Sequence, residues 1–335
     1  MKRHSFRTLS TVVVFTLVGA ALMAWLYHDF DFAALLHVLC RRDNAAWMCG
    51  ALLFGVGANV LRSLRWQMLL RSAEVRIPVK HAIELVFISY LINSVTPRLG
   101  ELTRCLLIRH GNAAIASRAL GTVVVEKLAD VACLCLVVAL AASVRWDATA
   151  ALLSRMTGGV ERRLPGYAVA LIVIGALCLL LAVSIPLRRR LGAFFRNLWR
   201  GMTAISRLRA PQLFVLYCAG IWFCNFMQLF MLVPCFPSLA AIGWAEALQV
   251  FAMASVGMLL PTPGGAGSWH YAIIETLTRL HAVGRDAARA FALATHGLRT
   301  LLVMLLGLLA YITFYGEIFW RVRRYMRRKK CFKSS

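Results

Sequence analysis

The chain alternates between long apolar runs and short polar, mostly basic segments. Five runs are nearly free of charge at their centres or interrupted only briefly: Leu9–Tyr27, Ala45–Leu61, Leu120–Val144, Tyr167–Leu187 and Phe214–Val233. A helix of about 20 mostly apolar residues crosses a bilayer, so each predicts a span. A sixth, Ala290–Tyr315, is apolar apart from His296 and Arg299. Two further runs are interrupted. One extends from Ala82 to Ile108 and breaks at Pro97 and Gly100; the other extends from Ala245 to Leu280 and breaks at Pro261 and Pro263. The segment from Ala82 to Thr96 is short for a full crossing, and backbone freed at a Pro/Gly break has to be buried in protein or line a wet cavity. The pattern therefore predicts an all-α polytopic membrane protein with about six full spans and two broken, re-entrant hairpins, over residues 82–118 and 245–289, giving eight apolar segments in one membrane domain, 1–335.

Composition sharpens this. Hydrophobic residues make up 60% of the 335, charged ones 16%, and the formal net charge is +24. Mean hydropathy is +0.71. A soluble protein carries about 25% charged residues, so the basic excess does not describe a nucleic-acid-binding domain; it belongs in loops and tails. With the N-terminus inside, the cytoplasmic segments collect 23 Lys and Arg: three before the first span, five after the second, seven in 188–211 and eight after Tyr315. The opposite side collects 6. The positive-inside rule then places both termini in the cytoplasm of a bacterial inner membrane, with residues 317–335 as a basic tail. Lys2, Arg3 and Arg7 precede the first run, but no small-residue cleavage site follows it, so it reads as a retained span. The basic segments read as lying on anionic lipid. The ten cysteines form no C-x-x-C pair, and those within spans read as small apolar filler, with no metal site or disulfide framework expected. No cofactor motif is present, and no G-x-x-x-x-G-K-[ST] phosphate loop.

The order span, span, broken hairpin, span occurs over 1–144 and again over 167–316. Three crossings per half make the halves inverted, a plan that in transporters places the site at the repeat interface.

Three groups of residues inside these segments carry candidate chemistry. Arg98, Glu101 and Arg104 recur every third residue after Pro97, near one face of a restarting helix. The following span holds Glu126, Lys127 and Asp130, with Glu126 and Asp130 one turn apart. An ionised group at mid-membrane costs about 2.5–3.5 kcal/mol even on the lenient insertion scale, so pairing with Arg98 and Arg104 is the simplest resolution. The planar fork of arginine also suits a phosphate. The second group follows Pro261 and Pro263: Gly264, Gly265 and Gly267 permit a tight turn and close backbone approach, and a helix starting near Ser268 offers N–H groups to an anion, with His270 beside them. The third is His296, Arg299 and Thr300, in the place after the second hairpin that Glu126 and Asp130 hold after the first. Arg62-Ser63-Leu64-Arg65-Trp66, where the second apolar run ends, reads as interface anchoring.

Taken together, Arg62-Ser63-Leu64-Arg65-Trp66, Pro97-Arg98-Leu99-Gly100-Glu101-Leu102-Thr103-Arg104, Glu126-Lys127-Leu128-Ala129-Asp130 and Pro263-Gly264-Gly265-Ala266-Gly267 resemble the lysylphosphatidylglycerol synthase transmembrane-region family, the flippase-like integral membrane proteins. The resemblance implies movement of lipids, such as aminoacylated phosphatidylglycerol or polyprenyl-linked sugars, between leaflets. The family often has Glu shortly after P-G-G-x-G, where this chain has His270. About 20 residues follow the last span, so no aminoacyl-transferase domain is expected and the reading is not an enzyme. The leading expectation is a translocator whose partner is a lipid with an anionic head group: Arg98, Arg104, Gly264, Gly265, Gly267 and His270 bind the head group, and Glu101, Glu126, Lys127, Asp130, His296 and Arg299 form an ion-pair or coupling network. The alternatives are an intramembrane lipid-modifying enzyme, which needs His270 beside Glu126 or Asp130, and a non-transporting partner of a cell-envelope enzyme.

Overall fold

The computed structural model describes residues 17, 19–96, 99–108, 112–144, 192–260 and 262–331, with residues 193–195 and 318–331 described in backbone only. The span expected at Tyr167–Leu187, the start of the span at Leu9–Tyr27, and Pro97, Arg98 and Pro261 lie outside these residues. All regular structure among the described residues is helical. The helices are α1 (19–27), α2 (Phe32–Leu39), α3 (Ala45–Ser72), α4 (Val79–Val95), α5 (Leu99–Leu107), α6 (Ala113–Val144), α7 (Gly192–Met202), α8 (Pro211–Phe230), α9 (Trp244–Gly257), α10 (Ser268–Leu280) and α11 (Arg285–Cys331). Their starts follow local chemistry. Asp31 accepts the Ala33 and Ala34 N–H groups at 2.9 and 3.2 Å, and Asn112 accepts those of Ala114 and Ile115 at 3.1 and 3.3 Å. Pro211 opens α8, where its missing N–H costs nothing. Three stretches are long and apolar enough to cross a membrane: Arg42–Ser72, Pro211–Cys235 and Arg285–Glu317. The 32-residue α6 is longer than the second of these but carries Glu126, Lys127 and Asp130.

Ion pairs sort the helix ends into two groups. Arg289, early in α11, bonds to Asp29 at 2.8 Å and to Asp286 at 3.2 Å, and the Tyr27 hydroxyl donates to the Arg289 carbonyl. Lys80 at the start of α4 pairs with Glu317, and Arg118 of α6 pairs with Glu74 just beyond α3. Residues 289 and 317 are separated by roughly 42 Å of helix. So α11 runs from the end where α1 finishes and α3 begins to the end where α3 finishes and α4 and α6 begin.

Each interrupted segment forms a helical hairpin. In the first, α5 lies on α4 so closely that a Cβ at Gly100 would stand 1.9 Å from the Ser89 carbonyl oxygen. Asn93 ties the hairpin by accepting the Gly100 N–H at 2.7 Å and donating to Glu101 at 3.1 Å. In the second, α9 and α10 meet at Gly257, where a Cβ would be 2.8 Å from the Ser268 carbonyl oxygen. The connection between them passes through a 3-10 turn at Pro263–Gly265, with φ of +59° at Gly264, +85° at Gly265 and +84° at Gly267. That region of φ is open to glycine at little cost. The two hairpins touch at their tips, with a Gly264 Cβ position 3.9 Å from Ser94 Cα.

Two apolar cores flank this junction. One joins Leu26 and Tyr27 to α8, the second hairpin and Phe291; the other joins Trp66 and Leu70 to the first hairpin, α6, Ala310 and Phe314. Helix α11 contributes to both, and α3 packs along α8.

The close approach at Gly100 gives a direct test. Gly100→Ala has to push α5 off α4, because the obstructing atom is backbone, and should cost several kcal/mol, well beyond the ~1–3 kcal/mol typical of overpacking. Gly297→Ala, in a helix with open space around the new Cβ, should be neutral or stabilising by up to about 1 kcal/mol. Thermal unfolding of the detergent-solubilised variants distinguishes the two; equal melting temperatures would refute the hairpin packing.

Candidate functional site

Helix α3 presents Arg62 and Arg65 one turn apart, and α6 presents Glu126 and Asp130 one turn apart, so two cations face two carboxylates. Arg65 donates from Nη2 to Glu126 at 3.2 Å and to Asp130 at 2.8 Å. Arg62 donates to Asp130 at 2.9 Å and stands 3.8 Å from Glu126. Arg104, brought in by α5, donates to the other Glu126 oxygen at 2.5 Å and lays its guanidinium 4.4 Å from the centre of the Trp66 ring. That ring is fixed by its Nε1–H, which donates to the Thr122 hydroxyl at 3.2 Å. Arg65 also bonds to the Cys218 sulfur of α8 at 3.2 Å. Glu126, Arg65 and Arg104 are buried; Arg62 and Asp130 form the open edge, with side chains 14% and 19% exposed.

Two features of this network depart from expectation. Arg62 and Arg65, expected as anchors at the end of the apolar run, lie within a helix that continues to Ser72, about 15 Å beyond Arg62, and pair with the α6 carboxylates. Arg62 and Arg65 are thus functional candidates that the end of the apolar run concealed. The expected pairing of Arg104 with the α6 carboxylates is present at Glu126, while Glu101 turns to Lys127 at 2.8 Å and to Asn93. Glu101 and Lys127 neutralise each other beside the buried group. Arg98 lies outside the described residues.

The glycine turn is closed mainly by protein. A Cβ at Gly267 would be 2.7 Å from Leu22 Cβ, and one at Gly265 would be 3.0 Å from the Met258 methyl group. These glycines let α1 and Met258 approach. Gly264 faces the first hairpin, and its carbonyl accepts from His296 Nε2 at 2.9 Å. His270, at the first turn of α10, receives the Gly267 N–H on Nδ1 at 3.4 Å, which leaves the ring proton on a buried Nε2 with no acceptor among the described residues. Its ring meets those of His296 at 4.7 Å and Tyr27 at 5.6 Å. His270 therefore packs against rings, whereas Glu126 and Asp130 are held by arginines; the histidine–carboxylate pair that an acid–base enzyme would need is not formed there.

Arg299 is not a member of the ion-pair network, nor is His296. Arg299 has no carboxylate partner among the described residues. It lies ten residues beyond Arg289 on α11, roughly 15 Å along the helix, and three residues beyond His296, which donates to the tip of the second hairpin. A separate polar cavity of about 510 Å³ opens at the far end, lined by Trp25, His28, Asp29, Arg285, Asp286 and Arg289.

The sequence profile of the family described as the lysylphosphatidylglycerol synthase TM region matches residues 9–307. No curated protein matches the chain.

Charge removal should separate the buried network from its half-exposed neighbour. Glu126→Gln leaves three arginines facing one carboxylate and should cost about 3–5 kcal/mol of stability. Glu101→Gln breaks a pair whose lysine is 54% exposed and should cost less than about 1 kcal/mol. Chemical unfolding in detergent measures both; a Glu126→Gln cost no larger than that of Glu101→Gln would show that the network does not hold α3, α5 and α6 together.

Proposed function

The chain belongs to the lysylphosphatidylglycerol synthase TM-region family, and we propose that it is a translocator moving a lipid with a phosphate-bearing head group across the inner membrane. The observation that carries this reading is Arg299: a cation well inside a helix long and apolar enough to cross a membrane, without a carboxylate among the described residues. A lone charge at such depth costs several kcal/mol. An anionic head group supplies the missing countercharge, and its acyl or prenyl chains remain in lipid.

Further features support the same reading. The Nε–H groups of Arg65 and Arg104 are buried without acceptors among the described residues, so the guanidiniums retain donor capacity. The two hairpin tips meet beside Arg299's helix, as expected of two re-entrant elements that turn back within the membrane. In this arrangement α3, the first hairpin and α6 form one half, and α8, the second hairpin and α11 the inverted other. The ends carrying Lys80, Arg118 and Glu317 face the cytoplasm, in keeping with the basic excess there. Arg62, at the rim, hands charge to the head group; Glu126 and Asp130 keep the arginines oriented.

Reconstituted into vesicles with a fluorescent anionic phospholipid, the protein should accelerate leaflet exchange. Arg62→Gln should lower that acceleration by about ten-fold or more, the loss expected for one charge-assisted contact. Native exchange by a folded Arg62→Gln protein would refute the role of this edge, and no acceleration by the native protein would refute translocation.

A further inference from the structure

The basic segment between residues 188 and 211, which contains no acidic residue, presents one definite surface. Helix α7 packs closely on the first turns of α6. A Cβ at Gly201 would stand 2.1 Å from the Arg118 carbonyl oxygen, and one at Gly121 would stand 2.3 Å from that of Leu198. Arg118 donates from Nε to Asn197 at 3.3 Å and pairs with Glu74 just beyond α3. These contacts fix α7 at the end of the bundle where α3 finishes and α6 begins, with Gly121 roughly 7.5 Å of helix before Glu126.

The other side of α7 carries Arg196, Trp199 and Arg200, at the i, i+3, i+4 spacing of one helix face. The 3-10 turn Thr203–Arg207 adds Ile205 and Arg207, and Arg209 follows it. All of these side chains are exposed, Trp199 to 64% and Ile205 to 46%. None of the four arginines forms an ion pair among the described residues. Of the 14 acidic residues in the chain, only Asp147 and Glu161 lie outside the described ones, so these guanidiniums outnumber any carboxylates left to reach them.

We propose that this face is a membrane-surface site for anionic phospholipid head groups, in the leaflet on that side of the bilayer. Exposed Trp and Ile among unpaired cations suit neither bulk water nor the hydrocarbon core. At a bilayer surface the indole ring sits at head-group level and the guanidiniums reach the phosphates. Arg196 and Arg200, one turn apart and on the same face as the ring, each present a planar fork that matches phosphate oxygens. Charge sets the lipid class: a zwitterionic head group brings its own cation to the arginines, whereas an anionic one brings countercharge alone. Recognition here does not require the arginine network to move lipid. It ties α6, which holds Glu126, to the bilayer surface.

The test follows Trp199 emission in the full chain reconstituted into phosphatidylcholine bilayers. Bromine near the head of an acyl chain quenches a tryptophan in contact with it. The probes are phosphatidylglycerol and phosphatidylcholine with the same brominated chains at equal mole fraction. The Trp199 contribution is the difference between the native protein and Trp199→Phe. Brominated phosphatidylglycerol should quench that contribution roughly two-fold more strongly at low salt. The difference should disappear at about 0.5 M salt, where the Debye length is only about 4 Å, and in Arg196→Gln/Arg200→Gln. The salt measurement needs no variant. Absence of quenching by either lipid would overturn the proposal, because the face would then meet protein or water. Equal quenching by the two would overturn the preference for anionic lipid. An undiminished preference in the double variant would overturn the assignment to these arginines. Leaflet exchange is not measured, so each outcome leaves the translocator reading where it stood.

Discussion

Glu126 is the point on which the membrane helices converge. Its two oxygens accept from arginines on two different helices, Arg65 of α3 and Arg104 of α5, and Asp130 one turn away holds Arg62 and Arg65 in place. Because Arg104 arrives on the returning arm of the first hairpin, the same contact that satisfies a buried carboxylate also sets how far α5 folds back along α4. The close approach at Gly100 then becomes a requirement: α5 cannot bring Arg104 to Glu126 unless its backbone can lie against Ser89. Burial of the group leaves little room for partial satisfaction, since a charge stranded in a low-dielectric interior costs more than the pair contributes.

The expected features that reappear in the structure are those set by local physics. Pro/Gly breaks produce hairpins because a helix cannot continue through them, and Glu126 with Asp130, one turn apart in an otherwise apolar segment, announced a buried ionic site. What the sequence concealed was the identity of their main partners. Arg62 and Arg65 follow an apolar run, which is where basic anchors ordinarily sit, and the apolar pattern alone cannot report that α3 continues for another ten residues. The i, i+3 spacing of Arg62 and Arg65 was the available signal, a match for the i, i+4 spacing on α6. The glycine turn is ambiguous in a different way. Gly265 and Gly267 look like ligand-approach positions, but positive φ and small volume serve equally to admit Met258 and Leu22, and only tertiary packing decides between these uses.

The histidines illustrate a related limit. His270 and His296 are 26 positions apart and become ring neighbours only because α10 and α11 pack on either side of the turn. With His296 on the Gly264 carbonyl and Gly264 facing Ser94, the second tip is anchored both to α11 and to the first hairpin. A displacement of either hairpin would therefore be felt at the other through one short stretch of glycine backbone. This gives α11 a double role, since it carries Arg299 three residues, nearly one turn, beyond the histidine that secures the tip.

A network that locks helices and, on the proposed reading, also binds a mobile head group faces conflicting demands. Saturated pairing gives rigidity and leaves nothing for a ligand; loose pairing exposes charge to lipid. The distribution of burial resolves the conflict in space. Arg65, Arg104 and Glu126 form the sealed side and bear the structural load, while Arg62 and Asp130 form a rim. On the proposed reading, ligand exchange needs to disturb only the rim. Were the network to hold a third carboxylate, it would approach neutrality and lose its attraction for an anion; were Glu126 missing, the excess would grow but the helices that shape the site would separate. The observed count, three guanidiniums to two carboxylates, lies between these failures: enough anionic charge to assemble the helices, and cationic charge left over.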